Sequence, residues 1–218
     1  MVTIAWIGWS LSVEYTKEKC PTQNPSFKLK KVDNERKRYL SQEEAERLLS
    51  IIKNKNYQTY EMSIVALDAG LRFGEIAALQ WSSIDFDNEI IHILNTKSGK
   101  DRSVPMTSRL YNILKNKPKE QELVFPNKKG GRHKQVPSSF KRACQISTLN
   151  DNSTDQKHRI SFHGLRHTFA SRLIQSGVDL YRVQKLLGHG TPNVTQRYSH
   201  LANEDLRSGI KSMENKYC

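Results

Sequence analysis

The stretch Phe162-His163-Gly164-Leu165-Arg166-His167 sets an imidazole and a guanidinium three residues apart. At the start of a helix this spacing puts His163 and Arg166 on one face. Leu165, Phe169, Leu173 and Ile174 then point elsewhere, toward a core. The helix start itself supplies unpaired N–H groups and the positive end of the dipole, so an oxyanion such as a phosphate is well held there. Taken alone, a His-x-x-Arg pair reads more simply as a surface ion-pairing face. Downstream, Leu187-Gly188-His189 ends a helix and opens a turn. Thr191-Pro192 starts another helix, with proline in its first turn, and Tyr198 follows His189 by nine residues. Cations beside a phenol suit an anionic substrate attacked by a nucleophile. The set lacks a second guanidinium and a proton donor.

Both are offered upstream. Arg72 sits in the corner Gly70-Leu71-Arg72-Phe73-Gly74-Glu75 between two helical runs. Its backbone can aim it inward, and Glu75 can hold it as a bidentate partner or cap the following helix. By itself Arg72 reads as half of a structural ion pair. Lys97 stands at the tip of the turn Thr96-Lys97-Ser98-Gly99-Lys100. A lysine among other cations has a lowered pKa and can act as a general acid, although most hairpin lysines are simply solvated.

The pattern around these residues is α+β. Ser41 and Glu44 form a capping box ahead of Leu48, Leu49 and Ile52. A second helix is expected over Tyr57 to Ala69, ended by Gly70, and a short third one to about Leu79. Strand-like runs follow at Ser83 to Phe86, Ile90 to Leu94 and Ser103 to Met106, with Asp87-Asn88 as a hairpin turn. Helical spacing returns near 108–116, 138–147, 164–176, 179–187 and 192–199, and a last helix is expected from Asn203 to Met213. The expected architecture is mostly helical with a small antiparallel three-stranded sheet.

Of the 218 residues 36% are hydrophobic and 26% charged, which is a globular composition with enough chain for a real core. The net charge of +13 favours a polyanion or an anionic membrane surface as partner. Basic runs at Lys28–Arg38, Lys115–Lys119 and Lys128–Lys134 are candidate phosphate contacts, or solvated faces. Cys20, Cys144 and Cys218 are odd in number and far apart, which fits neither a disulfide framework nor a metal site and suits a reduced, cytoplasmic setting. No apolar run has the length of a membrane span.

Together the pieces resemble the catalytic domain of the tyrosine recombinases, the phage and transposon integrase family. The resemblance runs from about Lys37 to Leu201. It rests on the arginine box around Arg72, the lysine turn with Arg102-Ser103-Val104-Pro105 after it, the box from His163 to Ala170, Leu187-Gly188-His189 and Gln196-Arg197-Tyr198. It implies that Tyr198 attacks a phosphodiester of double-stranded DNA to form a 3′-phosphotyrosine. Arg72 and Arg166 would clamp the non-bridging oxygens, and Lys97 would protonate the leaving 5′-oxygen. His163 would assist proton transfer at the tyrosine, and His189 would hydrogen-bond the phosphate. The resemblance implies no metal or nucleotide cofactor. It also implies a homo-tetramer on DNA, a monomer without it, and accessory DNA-bending proteins.

Residues 1–36 differ from the rest. Trp6, Trp9 and Val13 have helical spacing, Pro21 and Pro25 break it, and a basic polar link follows. The segment is expected to be the remnant of a core-binding domain plus linker, or an arm packed on the main domain, with 37–218 as the catalytic domain and its helical tail. Family members carry a helical core-binding domain ahead of the catalytic one. A DNA-binding remnant that no longer cuts is therefore an alternative reading, and a type IB topoisomerase, which uses the same chemistry, is another.

Overall fold

The computed structural model describes residues 38–94, 101–150 and 159–188. The chain divides into two units, Met1–Glu35 and Arg36–Cys218, and all described residues belong to the second. The helices expected at 192–199 and 203–213, and the amphipathic segment near Trp6, lie outside the described residues.

Helix α1 (Gln42–Lys55) begins as its sequence dictates: Ser41 Oγ accepts from Glu44 N and Glu44 Oε2 accepts from Ser41 N at 3.0 Å. It buries Ala45, Leu48, Leu49 and Ile52, a single stripe. Helix α2 (Tyr57–Asp68), capped by Asn56, is buried along nearly its whole length from Thr59 onward, so it runs through the centre rather than along the surface. Gly70 follows with φ +64, and a Cβ there would lie 2.7 Å from Phe169 Cε1 and closer still to Cδ1. The bend after α2 therefore depends on a residue without a side chain. Helix α3 (Phe73–Ala77) is one turn long and starts from Arg72.

The sheet has order β1-β2-β3, all antiparallel: β1 (Ile84–Asp85), β2 (Ile90–Ile93) and β3 (Arg102–Pro105). Strand β1 stops earlier than the expected Ser83–Phe86 and the turn is four residues long. The reason is Phe86, whose ring stacks on Trp81 and packs edge-on against Tyr111 instead of extending the strand. Asp85 Oδ1 then accepts from the amides of Asp87 and Asn88, and Glu89 takes φ +56. Ile84, Ile91 and Val104 share the core face, and by the same alternation Ile93 and Arg102 do as well.

Four further helices complete the described fold: α4 (Ser108–Lys115), α5 (Ser138–Ile146), α6 (Phe162–Gln175) and α7 (Leu180–Leu187). They match the expected segments to within two residues. Helix α6 packs along α2. A separate apolar patch of Ala170, Ile174, Val183 and Leu187 joins α6 to α7. Phe162 lies edge-on to both Phe73 and Phe140, at ring-centre distances of 5.5 and 5.1 Å, which pins the start of α6 to the start of α3. The two arginine boxes are thereby brought to one place. Among the described residues no helix is long and apolar enough to cross a membrane.

Candidate functional site

The site is built where helix ends meet. Helix α2 ends before Gly70, α3 begins at Arg72, α6 begins at Phe162, and α7 ends at Leu187 with Gly188 in the left-handed region at φ +62. A helix C-terminus leaves carbonyls without intrahelical partners and carries the negative end of the dipole. Three arginines converge on those carbonyls. Arg102 Nε donates to Leu186 O at 2.9 Å, Arg166 Nη2 to Leu187 O at 2.5 Å, and Arg72 Nη2 to Gly188 O at 3.3 Å. Arg166 Nη1 also donates to Gly70 O at 2.7 Å, so it joins the exit of α2 to the exit of α7.

One carboxylate sits among the three guanidiniums. Glu75 Oε2 accepts from the backbone N of Arg72, and Oε1 accepts from Arg72 Nη1 at 2.9 Å. Arg102 takes both oxygens as a fork, at 3.0 and 2.7 Å. Arg166 Nη1 stands 3.8 Å from Oε2. Glu75 thus both caps α3 and pairs Arg72, and its bidentate partner is Arg102. Burial pushes the Glu75 carboxyl up, but the hydrogen bond and charge of Arg102, the amide of Arg72 and the charge of Arg166 together hold it below the usual carboxylate value. Glu75 is therefore ionised at neutral pH.

Among the described residues, three cations against one anion leave an excess of positive charge. The carbonyls orient the guanidiniums without cancelling that charge, because they are neutral dipoles. Such a cluster is suited to an oxyanion. Arg72 is the outward member, with 37% of its side chain exposed, whereas Arg166 at 2% and Arg102 at 6% are nearly enclosed. The surface ion-pairing alternative for His163 and Arg166 fails for the arginine: Arg166 is among the largest fully buried side chains.

His163 lies one turn before Arg166 on α6 and is exposed, its ring edge-on to that of His167 at 4.6 Å. Ser161, at the N-cap of α6, makes no side-chain hydrogen bond to the first turn. The structure thus brings Arg72 and Arg166 together around Glu75 and sets His163 on the helix that carries Arg166. Lys97, His189 and Tyr198 lie outside the described residues.

With this geometry in view, residues 38–205 match the phage integrase family. The chain belongs to that family. It is 33% identical over 172 residues to a shufflon-specific DNA recombinase of Escherichia coli, covering 78% of this chain and 42% of that protein. It is 36% identical over 155 residues to the tyrosine recombinase XerC of Pediococcus pentosaceus, covering 67% of this chain and 51% of that one. The chain thus spans about half the length of these relatives. Among solved structures, the catalytic domain of bacteriophage HP1 integrase superposes with a TM-score of 0.62 at 29% identity, over 79% of this chain and 93% of that one. The α+β fold expected from the sequence is the fold of this integrase family.

Arg102 is not among the site residues expected from the sequence. A signal was present: Arg102 has the parity of Val104 in β3, so a charge occupies a core-facing position. Of the basic runs, Lys115–Lys119 is engaged internally. Lys117 Nζ donates to Glu61 at 2.6 Å, Lys115 Nζ to Tyr111 Oη, and the Lys119 ammonium lies over the rings of Phe86 and Trp81. By contrast, Lys128, Lys129, Arg132 and Lys134 are exposed on a loop organised by Asn127, whose Oδ1 accepts from the amides of Lys129 and Gly131.

Proposed function

We propose that this chain is the catalytic part of a site-specific recombinase that cuts and rejoins double-stranded DNA through a 3′-phosphotyrosine. The observation that carries it is the cluster of Arg72, Arg102 and Arg166 around the Glu75 carboxylate, held on the neutral carbonyls at the exits of α2 and α7. A phosphodiester is anionic and resists attack, so its non-bridging oxygens need fixed cationic donors as charge grows on them. Arg72 and Arg166 fill that role. Tyr198 Oη attacks phosphorus, the phosphorus–O5′ bond breaks, and O5′ leaves with a proton from Lys97. The tyrosine proton passes toward His163, and His189 donates a hydrogen bond to the phosphate. Attack by a free 5′-hydroxyl reverses the step and rejoins the strand, so the bond is conserved as a phosphoester and no nucleotide is consumed.

The membership of the chain in the integrase family and the DNA recombinase among its relatives support this reading. So does the net charge of +13, and the exposed cations at 128–134 are suited to backbone phosphates. Exchange of strands between two duplexes requires four copies, so the working assembly is a tetramer on DNA formed from monomers.

The test uses a pool of nicked duplex oligonucleotides with a randomised core, from which a cut strand cannot be rejoined. The chain is expected to form an adduct stable to detergent that is enriched for one core sequence and absent in Tyr198→Phe. Arg166→Ala is expected to slow adduct formation by about 10²–10³-fold. A gel shift with no covalent product on the enriched sequences would instead identify a protein that binds without cutting. Relaxation of supercoiled plasmid without site preference would identify a topoisomerase.

A further inference from the structure

Arg102 has no role in the chemistry above, yet all three of its guanidinium nitrogens are committed to protein partners. Its Nε donates to Leu186 O, and its two terminal nitrogens take the two oxygens of Glu75. With all three guanidinium nitrogens taken by these partners, it acts through the carboxylate and the helix exit. The backbone is built to admit it. A Cβ on Gly188 would lie 2.9 Å from Arg102 Nη1 and 3.0 Å from its Cδ, so the exit of α7 closes directly over this side chain.

The consequence concerns the other two guanidiniums. Arg72 Nη1 and Arg166 Nη1 both lie within ion-pair range of Glu75, at 2.9 and 3.8 Å. An unclaimed carboxylate at that spot draws both inward and neutralises the charge that an incoming oxyanion needs. We propose that Arg102 is a positioning residue that occupies the Glu75 carboxylate and locks the exit of α7, so that Arg72 and Arg166 keep their charge and spacing for a phosphate. The proposal rests on the reading of Arg72 and Arg166 as a phosphate clamp. It adds that the clamp is tuned by a third arginine acting through a carboxylate.

The probe is inorganic phosphate, titrated against the whole chain and followed by phosphorus NMR line broadening, with circular dichroism reporting the fold. Arg102→Ala is expected to weaken phosphate binding by about tenfold or more, the scale on which orienting partners of ligand groups act. Arg102→Lys is expected not to restore it, because one ammonium cannot bridge both Glu75 oxygens and Leu186 O together. In a Glu75→Gln background the same Arg102→Ala change is expected to matter less than about threefold, since the competing charge is gone. This double variant removes both halves of the pair and so keeps the test alive should Arg102→Ala alone fail to fold. The proposal is overturned by wild-type phosphate affinity in folded Arg102→Ala or Arg102→Lys, by an equal loss in both backgrounds, or by a wild type that binds no phosphate. Adduct formation on the nicked pool separates the two claims. Phosphate binding that behaves as expected, with no Tyr198 adduct, sinks the DNA-cutting reading and leaves the role of Arg102 standing. An adduct that Arg102→Ala leaves unchanged, with unchanged phosphate affinity, sinks the role of Arg102 alone.

Discussion

Two arginine–carboxylate clusters flank the bend after α2, and they are built to opposite ends. On one side Asp68 accepts a fork from Arg109 and a hydrogen bond from Thr107 Oγ1 at 2.9 Å. Arg172 stands near, favoured by Asp68 and Glu46 and opposed by Arg109; its burial dominates and lowers its pKa. There, two guanidiniums lie in the field of two carboxylates. On the other side Glu75 meets three guanidiniums, and further donors go to the carbonyls of Gly70, Leu186, Leu187 and Gly188. The first cluster is near balance and serves the packing of α2, α4 and α6. The second is held together by dipoles and keeps surplus charge. What separates a structural ion pair from a site for an anion is thus the ratio of cations to anions and the kind of acceptor that fixes them, not the presence of arginine.

Removing the carboxylates breaks the comparison most directly. Glu75→Ala is expected to cost about 3–5 kcal/mol, because it leaves buried guanidiniums uncompensated. Asp68→Ala is expected to cost about 1–3 kcal/mol, because Arg109, with 42% of its side chain exposed, can return to water. Urea unfolding of the two variants checks the order, and equal or reversed costs would remove the distinction.

Gly70 is the hinge between the clusters, two residues after Asp68 and carrying the carbonyl that holds Arg166. Gly70→Ala is expected to cost about 2–4 kcal/mol, since its φ of +64 disfavours a side chain and the Phe169 ring blocks the Cβ. Gly188→Ala is expected to cost about 1–3 kcal/mol in thermal unfolding and to weaken phosphate binding as well, because the atoms it meets belong to Arg102. A Gly188 variant that loses stability but keeps phosphate affinity would show that the exit of α7 tolerates a shift.

Acid titration sharpens the contrast further. The folded pKa of Glu75 lies below its usual 4.5. Its stabilising contribution is therefore complete above 4.5 and is lost as pH falls through the folded value. Glu75→Gln is expected to flatten the fall in stability below that point. A stability–pH curve of unchanged slope would show that Glu75 is not held by the arginines. The smallest effect is expected at Cys144, 3% exposed, whose thiol burial pushes up to about 12. Its alkylation in the folded protein at neutral pH should be slow, and faster in Glu75→Ala than in Asp68→Ala. A fast reaction in the wild type would mean that the core opens locally instead.

Much of this was legible in the chain. The helix starting at Ser41 was readable because capping and a one-sided apolar stripe are local facts: Ser41, Glu44, Leu48 and Ile52 are neighbours in sequence and in space. Helix α6 was harder. Gly164, Arg166, His167, Thr168 and Ser171 are all buried alongside Leu165 and Ile174, so the helix has no polar face by which to sort its residues. Arg166 accordingly read as a surface residue until the resemblance to the integrases gave it a partner. Arg102 entered only as part of a motif and without a role, because a single charged residue in a four-residue strand carries little weight without knowledge of what lies beneath the sheet.

The sequence by itself determined the order of the described elements and the capping box at Ser41, since these follow from residue types at fixed spacings. Its resemblance to the integrases supplied the six residues expected to do chemistry. The tertiary structure decided which cations share a carboxylate. Arg72, Arg102 and Arg166 lie up to 94 residues apart along the chain. Only the packing of α3, β3 and α6 against the exits of α2 and α7 makes them neighbours. Hydrogen bonds and Coulomb forces act across ångströms of space and take no account of separation along the chain. That is why the excess of positive charge, the property on which the proposed reaction rests, appears only when the chain is folded.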